Sequence, residues 1–363
     1  MYNPDYSISD TLLNKIAQIE SYRSRVDTSY VLPEREIEMR YRATVEATHS
    51  STSIEGNPLN MKQVEKALSD LDGEPLTRHR YAEREVKNYK SALDFIEKRK
   101  QSGQPITMED ILVIHLRIME DLLPSEKVGA LRQNDVYITD SEGEIAYVGP
   151  SAQILPAELE ELLAWLDAAD GIHPVIVAAI LHFHFVSIHP FADGNGRTTR
   201  ALVALYLGLR DYDLRGALVL DSYYASDKPE YYLALDLAHD YQGRKAACLD
   251  PWLDYFADGF LSSAKVLQAE VMILSSVVDP AKSIKIAYDE IDLLSYAKRF
   301  GAVSLSEAES ILPHLSRRTL QRKLKRLADD GRLVIKGTAR TTRYEWKEFD
   351  SLTAEGESKP SAT

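Results

Sequence analysis

Apolar residues recur at three- and four-residue spacing through most of the first 275 positions, a period that only an α-helical body can bury along one face. The period predicts helices near 9–26, 34–54, 60–70, 79–100, 107–122, 156–169, 173–188, 195–210, 229–241 and 250–274. One interruption stands between the fifth and sixth. There Asp135-Val-Tyr-Ile-Thr-Asp-Ser-Glu-Gly-Glu-Ile-Ala-Tyr-Val148 places two short β-branched and aromatic runs around Asp140-Ser-Glu-Gly143, which reads as a β-hairpin. A lone hairpin is marginal in water, so it has to lean on the helices.

The pattern changes after Lys282. A helix near Tyr288–Phe300, a short one near Ser306–Leu312, a basic one near Ser316–Asp329 and the run from Arg332 to Trp346 read in order as three helices and a two-stranded wing. That is the order of a winged helix-turn-helix. Charge changes at the same place. The chain carries a net −13, yet from Arg317 to Arg343 ten basic residues stand against Asp329 and Asp330, giving +8 there and −21 elsewhere. Such asymmetry marks a separate module with its own kind of partner, and a basic presented helix suits DNA contact through 316–343. The division expected is therefore a helical region 1–105, a core 106–275, a winged helix-turn-helix 282–350 and a disordered tail 351–363 rich in Ser, Glu, Gly and Pro. The fold class is all-α with a small hairpin.

The start MYNPDYSISDTLLNKIAQIE lacks a basic stretch followed by an apolar one, and no apolar run approaches the roughly 18 residues of a membrane span. A cytoplasmic protein with no membrane partner is the expectation. The single cysteine, Cys248, excludes an internal disulfide and a Cys-based zinc cage. It lies in KAACLDPWLDYF, which reads as helix, and is expected to be a structural thiol.

The strongest local chemistry begins where the apolar run HPVIVAAILHFHFVSI meets His189-Pro190. Proline disfavours helical geometry in the residue before it, so His189 should stand at a helix exit and point out of the packed body. In Asp193-Gly-Asn-Gly-Arg197 two glycines let several backbone N–H groups face one point, and the helix that follows adds its positive N-terminus. Gly194, Asn195 and Gly196 thus form an anion cradle. Arg197 and Arg200, three apart on the first turn, can reach one anion with forked donors. Asp193, just outside the cradle, is placed to hold Mg2+, and His189 is suited to take a proton from an incoming hydroxyl. Base, cradle, cations and metal carboxylate within twelve residues specify phosphoryl or nucleotidyl transfer.

This stretch resembles the Fic family signature, His-x-Phe-x-Asp/Glu-Gly-Asn-Gly-Arg-x-x-Arg, at every specified position. The resemblance implies a mostly helical fold in which His189 deprotonates a Tyr, Ser or Thr hydroxyl that attacks the α-phosphate of ATP. By the same mapping Asp193 is the metal ligand, Gly194 to Gly196 the anion hole, Arg197 and Arg200 the triphosphate clamps, and Thr198 and Thr199 part of the nucleotide site. Phe191 packs inward and fixes the loop. Gly196 stands where the related Doc kinases carry Lys, which favours AMP transfer over phosphate transfer. Hairpin 135–148 is similar to the family's flap, which pairs with the target protein by strand addition. Val136, Tyr137 and Ile138 on it are nominated to touch the nucleotide. Lys228-Pro-Glu-Tyr-Tyr232 resembles a segment whose second aromatic borders the adenine, which nominates Tyr232. Helical surfaces in the family often pair, which implies a homodimer.

His182 and His184, two apart on a helix, point to different faces and cannot serve one ion. A satisfied core histidine is the expectation for His182.

A second motif, Ser51-Thr-Ser-Ile-Glu55-Gly56, ends a long helix, where a glycine is an ordinary cap. It also looks like the inhibitory motif of Fic proteins that carry their brake N-terminal to the core. That likeness implies that Glu55 pairs with Arg200 in the room of the γ-phosphate. The expected protein is thus an autoinhibited adenylyltransferase acting on a target protein and on itself. The alternatives are a DNA-binding regulator with a nucleotide-sensing core, or an enzyme that removes AMP or uses another nucleotide.

Overall fold

The computed structural model describes residues 2–69, 78–139, 143–275, 288–337 and 342–346. The chain divides into two compact units, Met1–Ala281 and Lys282–Thr363.

In the first unit helices α1 (Asp10–Thr28), α2 (Pro33–Ile54), α3 (Met61–Ser69), α4 (Arg78–Arg99) and α5 (Met108–Met119) lead to a hairpin of β1 (Tyr137–Thr139) and β2 (Ile145–Val148). Helices α6 (Leu155–Ala168), α7 (Pro174–Ile188), α8 (Asn195–Leu209), α9 (Asp221–Ser226), α10 (Lys228–Leu235), α11 (Tyr241–Lys245) and α12 (Asp250–Ser275) follow. The unit is organised around α7, which is apolar on all sides and buried from Val175 to Phe185. A helix without a polar face needs neighbours all round, and α6, α8, α11 and α12 supply them. Trp252 of α12 donates its indole N–H to the Ala179 carbonyl at 2.7 Å, which sets the α7–α12 contact.

Helix ends follow local chemistry. Pro174 opens α7, where a missing N–H costs nothing. A capping box of Thr107 and Asp110 starts α5, and Arg99 grips Asp110 at 2.7 and 2.9 Å. The helix expected over 107–122 stops at Met119, because Asp121 turns left-handed at φ 59°. The helix expected over 229–241 is two helices. Leu237 N–H closes a tight turn on the Leu235 carbonyl, and the chain then leaves to give its His239 carbonyl to the Val148 N–H at 2.9 Å. Sheet pairing wins those residues from the helix, and Asp240 caps α11 afresh. The six-residue α9 was too short for periodicity to reveal. Cys248, expected in a helix, is instead exposed and bridges to Asp5 just before α12 begins.

The hairpin is antiparallel, with Tyr137 opposite Val148, Ile138 opposite Tyr147, and a register shift before Thr139. Its turn at 140–142 lies outside the described residues. It leans on the body through Tyr147, which is buried, donates its hydroxyl to the Ser187 carbonyl at 2.5 Å and lies under Arg244.

The second unit contains α13 (Tyr288–Phe300), β3 (Ala302–Ser304), α14 (Leu305–Ile311), α15 (Arg317–Asp329), β4 (Leu333–Lys336) and β5 (Arg343–Trp346). Its antiparallel sheet has the order β3-β5-β4, one strand more than the hairpin expected from sequence. Leu320, Leu324 and Leu327 are buried along one face of α15, which packs against α13, α14 and β4. The expected disordered tail 351–363 lies outside the described residues.

Candidate active site

The site is built on the loop between α7 and α8. His189 ends α7 in the left-handed region (φ 49°, ψ 58°), a conformation that costs a residue other than glycine about 1 kcal/mol or more. Pro190 disfavours the helical alternative. The imidazole is half-buried rather than pointing free of the body, and burial pushes its pKa down to about 4, so it is neutral near pH 7. Its Nδ1 lies 3.2 Å from the Val186 carbonyl, which can only accept. The proton therefore sits on Nδ1, and Nε2 keeps a lone pair.

Two side chains lock the loop beneath. Asn195 accepts from the Phe191 N–H and donates to the Phe191 carbonyl, both at 2.9 Å. Phe191 is fully buried, as expected, and stacks on His115 with ring centroids 3.7 Å apart. His115 accepts from the Gly129 N–H at Nδ1, so its Nε2–H donates to the Asp193 carbonyl, each at 3.0 Å. Burial holds its pKa at about 4 and fixes it in this neutral tautomer. From the other side Arg132 donates to the carbonyls of His189 (2.8 Å), Asn134 (2.8 Å) and Pro150 (2.6 Å), and its backbone N–H to that of Pro190 (2.9 Å).

Gly194 caps α8 at φ 77°, and a Cβ there would meet Met119 Sδ at 2.6 Å. Both the backbone and the space demand glycine. At Gly196 a Cβ would lie 2.3 Å from Glu55 Oε1, so the Glu55 carboxylate rests against the floor of the cradle. Thr198 and Thr199 are turned away from it: both are fully buried, and the Thr199 hydroxyl donates to the Asn195 carbonyl. Helical geometry puts both side chains inside the packed body.

Both arginines are buried and both hold carboxylates. Arg200 Nη2 lies 2.8 Å from Glu55 Oε1, and its Nε lies 2.8 Å from Ser51 Oγ and 3.1 Å from Asp221 Oδ1. The Ser51 carbonyl accepts from Nη2 at 3.0 Å. Tyr89 in turn donates its hydroxyl to Asp221 at 3.4 Å. Arg197 Nη1 pairs with Glu85 Oε1, and its Nη2 lies 3.5 Å from Asp193 Oδ1. Burial works to raise the Glu55 pKa, but Arg200, helped by Arg197 and His189, pulls it below the ordinary carboxylate value. Glu85 goes the other way, raised by burial against the pull of Arg197 and Asn57. The Asp193 carboxylate is 54% accessible and, among the described residues, tied only to its neighbour's N–H and loosely to Arg197. One open carboxylate beside a phosphate cradle fits Mg2+, which commonly takes one or two carboxylates and completes its shell with phosphates and water.

Tyr231 is buried and its hydroxyl meets His182 Nε2 at 3.1 Å, while Tyr232 is half-exposed and feels the charges of Glu55 and Arg200. The nominated aromatic is thus the outward one of the pair. His182 is only half satisfied, since its Nδ1 has no partner among the described residues. On the flap, Ile138 packs toward the core, Val136 gives its carbonyl to the Gly149 N–H, and Tyr137 is exposed. His115, Arg132, Glu85 and Asp221 escaped sequence reasoning, because each is one polar residue with no motif around it.

Residues 105–207 match the family model described as Fic/DOC family. Over 253 residues the chain is 29% identical to a protein adenylyltransferase Fic of Drosophila ananassae, covering 66% of this chain and 47% of that one. The match to its Drosophila melanogaster counterpart is also 29%, covering 66% and 48%. The chain thus spans about half the length of the curated relatives it matches. A solved Fic family protein from Desulfovibrio desulfuricans G20 shares the fold with TM-score 0.61 and 23% identity over 96% of this chain and 99% of that one. Fic-1 (aa134–508) from C. elegans does so with TM-score 0.53 and 23% identity, over 72% and 74%.

Proposed function

We propose, from the premise that this chain carries a Fic domain over residues 105–207, that it transfers the AMP group of ATP to a Tyr, Ser or Thr hydroxyl of a target protein and of itself. The observation that carries this reading is the neutral His189, with an open Nε2 lone pair, beside a glycine-lined helix N-terminus and two buried arginines. The triphosphate would lie on the N–H groups of α8 with Arg197 and Arg200 around it. The acceptor oxygen attacks the α-phosphorus, its proton passes to His189 Nε2, and the bond from that phosphorus to the bridging oxygen breaks to release pyrophosphate. Asp193 would hold Mg2+, which when bound neutralises phosphate charge. Tyr232 at the rim is placed to border the adenine. The flap, with Tyr137 and Ile145 exposed, would take a target segment by strand addition.

In this reading the structure is a restrained state. Glu55 covers Gly196 and occupies the fork of Arg200 that the γ-phosphate needs. Glu55→Gly is the test: with ATP tagged on its α-phosphate, self-labelling should rise, and His189→Ala added to it should abolish transfer while ATP binding survives. Unchanged labelling in a folded Glu55→Gly protein would refute the restraint, and labelling that persists without His189 would refute the mechanism.

For the second unit we propose a winged helix whose α15 contacts DNA phosphates. Support comes from which bases remain available. Arg317, Lys323, Arg326 and Arg343 each lie within ion-pair distance of a carboxylate. Arg318, Arg322 and Lys325, spaced along one face, are exposed and pair with no carboxylate among the described residues. Arg340 lies outside the described residues. No helix among the described residues is long and apolar enough to cross a membrane, and a cytoplasmic location is part of this reading. A homodimer is implied by the family resemblance alone and is checked by light scattering of the full chain.

A further inference from the structure

We infer that Asn57 is a latch that holds Glu55 on Arg200 by tying the end of α2 to the carboxylate that occupies Arg197. The inference rests on the restrained reading of Glu55 given above. It starts from how α2 ends. Gly56, at φ +93°, donates its N–H to the Ser53 carbonyl (3.0 Å), and Asn57 donates its own to the Thr52 carbonyl (3.1 Å). This paired closure makes residues 52–57 one rigid hook with Glu55 at its tip. A Cβ at Gly56 would meet open space, so the positive φ rather than crowding calls for glycine there.

The hook is held by side chains outside it. Ser51 binds Arg200 with its hydroxyl and its carbonyl, and Lys228 Nζ donates to the Ser53 carbonyl. Beyond the tip, both hydrogens of the Asn57 amide are used: one on the Ala82 carbonyl (2.9 Å), the other on Glu85 Oε2 (2.7 Å). Its oxygen accepts from the Leu59 N–H at 3.0 Å. Glu85, 6% exposed on α4, gives its other oxygen to Arg197.

Besides Asp221 and Asp193, the two arginines of the cradle thus hold two carboxylates brought from elsewhere in the fold, Glu55 on Arg200 and Glu85 on Arg197. Asn57 joins them, one residue removed from the first by Gly56 and hydrogen-bonded to the second. A hydrogen bond to a buried charge is among the stronger ones a side chain makes. An anion that draws Arg197 away from Glu85 therefore disturbs the partner of Asn57, and with it the hook. Capture of phosphate by one arginine and release of Glu55 from the other become coupled steps.

The test is an epistasis measurement on the full chain with ATP tagged on the α-phosphate. Asn57→Asp keeps size and the acceptor for Leu59 but replaces a donor to Glu85 by a like charge. It should raise self-labelling about tenfold, the factor that losing about 1.4 kcal/mol of latch produces. Added to Glu55→Gly it should change the rate less than about twofold, because the hook then holds nothing that matters. Asn57→Ala should give the same ordering with a smaller rise, and thermal unfolding confirms that each variant is folded. Labelling of Asn57→Asp at the wild-type level, while Glu55→Gly is raised, overturns the latch. An equal rise in both backgrounds also overturns it, since that is general loosening. If Glu55→Gly is itself not raised, the restrained reading fails first, and the latch with it.

Discussion

Glu55 Oε1 stands 2.8 Å from Arg200 Nη2, across 145 positions of sequence, while Asp221 Oδ1 holds the same guanidinium from behind at 3.1 Å. The two acids differ in what surrounds them. The Asp221 side chain is 13% accessible and hydrogen-bonded by Tyr89, whereas the Glu55 side chain is 29% accessible at the end of its helix.

Under the proposed restraint, Asp221 should support catalysis and Glu55 oppose it. In the Glu55→Gly background, Asp221→Asn removes the charge that aims Arg200 but keeps the shape. The KM for ATP should rise about tenfold, a loss of about 1.4 kcal/mol of binding, with a smaller change in kcat. Steady-state labelling at varied ATP measures it, and an unchanged KM would show that Ser51 alone orients the arginine.

Arg132 is expected to be structural for the catalytic loop. Arg132→Met keeps the apolar stem but leaves the carbonyls of His189, Asn134 and Pro150 without their donor. Losing these bonds should destabilise the first unit by about 2–4 kcal/mol. Denaturant unfolding gives the figure, and a change below about 0.5 kcal/mol would mean that water replaces the guanidinium at little cost.

Acid should weaken the fold well above the carboxylate range. His115, His182 and His184 are fully buried, and burial lowers their pKa values to about 4, 3 and 3. Between those values and about 6.5 the unfolded chain binds protons that the folded chain refuses, so stability is complete above pH 6.5 and falls as pH drops below it. Each should cost roughly 1–2 kcal/mol between pH 7 and 5. Thermal melting against pH checks this, and His184→Phe, which replaces the ring stacked on Tyr2, should flatten the dependence. A melting temperature level from pH 7 to 5 would contradict it.

In the second unit, Arg318→Glu with Arg322→Glu in the full chain should abolish retention on double-stranded DNA at low salt, while the wild type elutes as salt rises. Replacing Arg317 by Glu, whose charge already faces Glu309, should matter less. Equal losses from both would point to net charge rather than to a defined face of α15.

The sequence alone determined the helical body, the hairpin and the twelve-residue run from His189 to Arg200, because each depends on neighbours within a turn or two of chain. Periodicity reports which face is buried, and Gly-Asn-Gly before a helix points to a cradle only in company with the histidine, the arginines and the carboxylate beside it. It failed where long-range pairing competes with local preference, as at Asp236–Asp240, where strand β2 breaks a helix that the spacing favours. Tertiary structure decided the partners. Ion pairs act over a few ångströms, and nothing in the local spacing says that Glu85 and Asn57 meet Arg197, that Asp221 meets Arg200, or that His115 lies under Phe191. The residues of the proposed chemistry are thus written locally, while the carboxylates that meet the two arginines are brought there by packing.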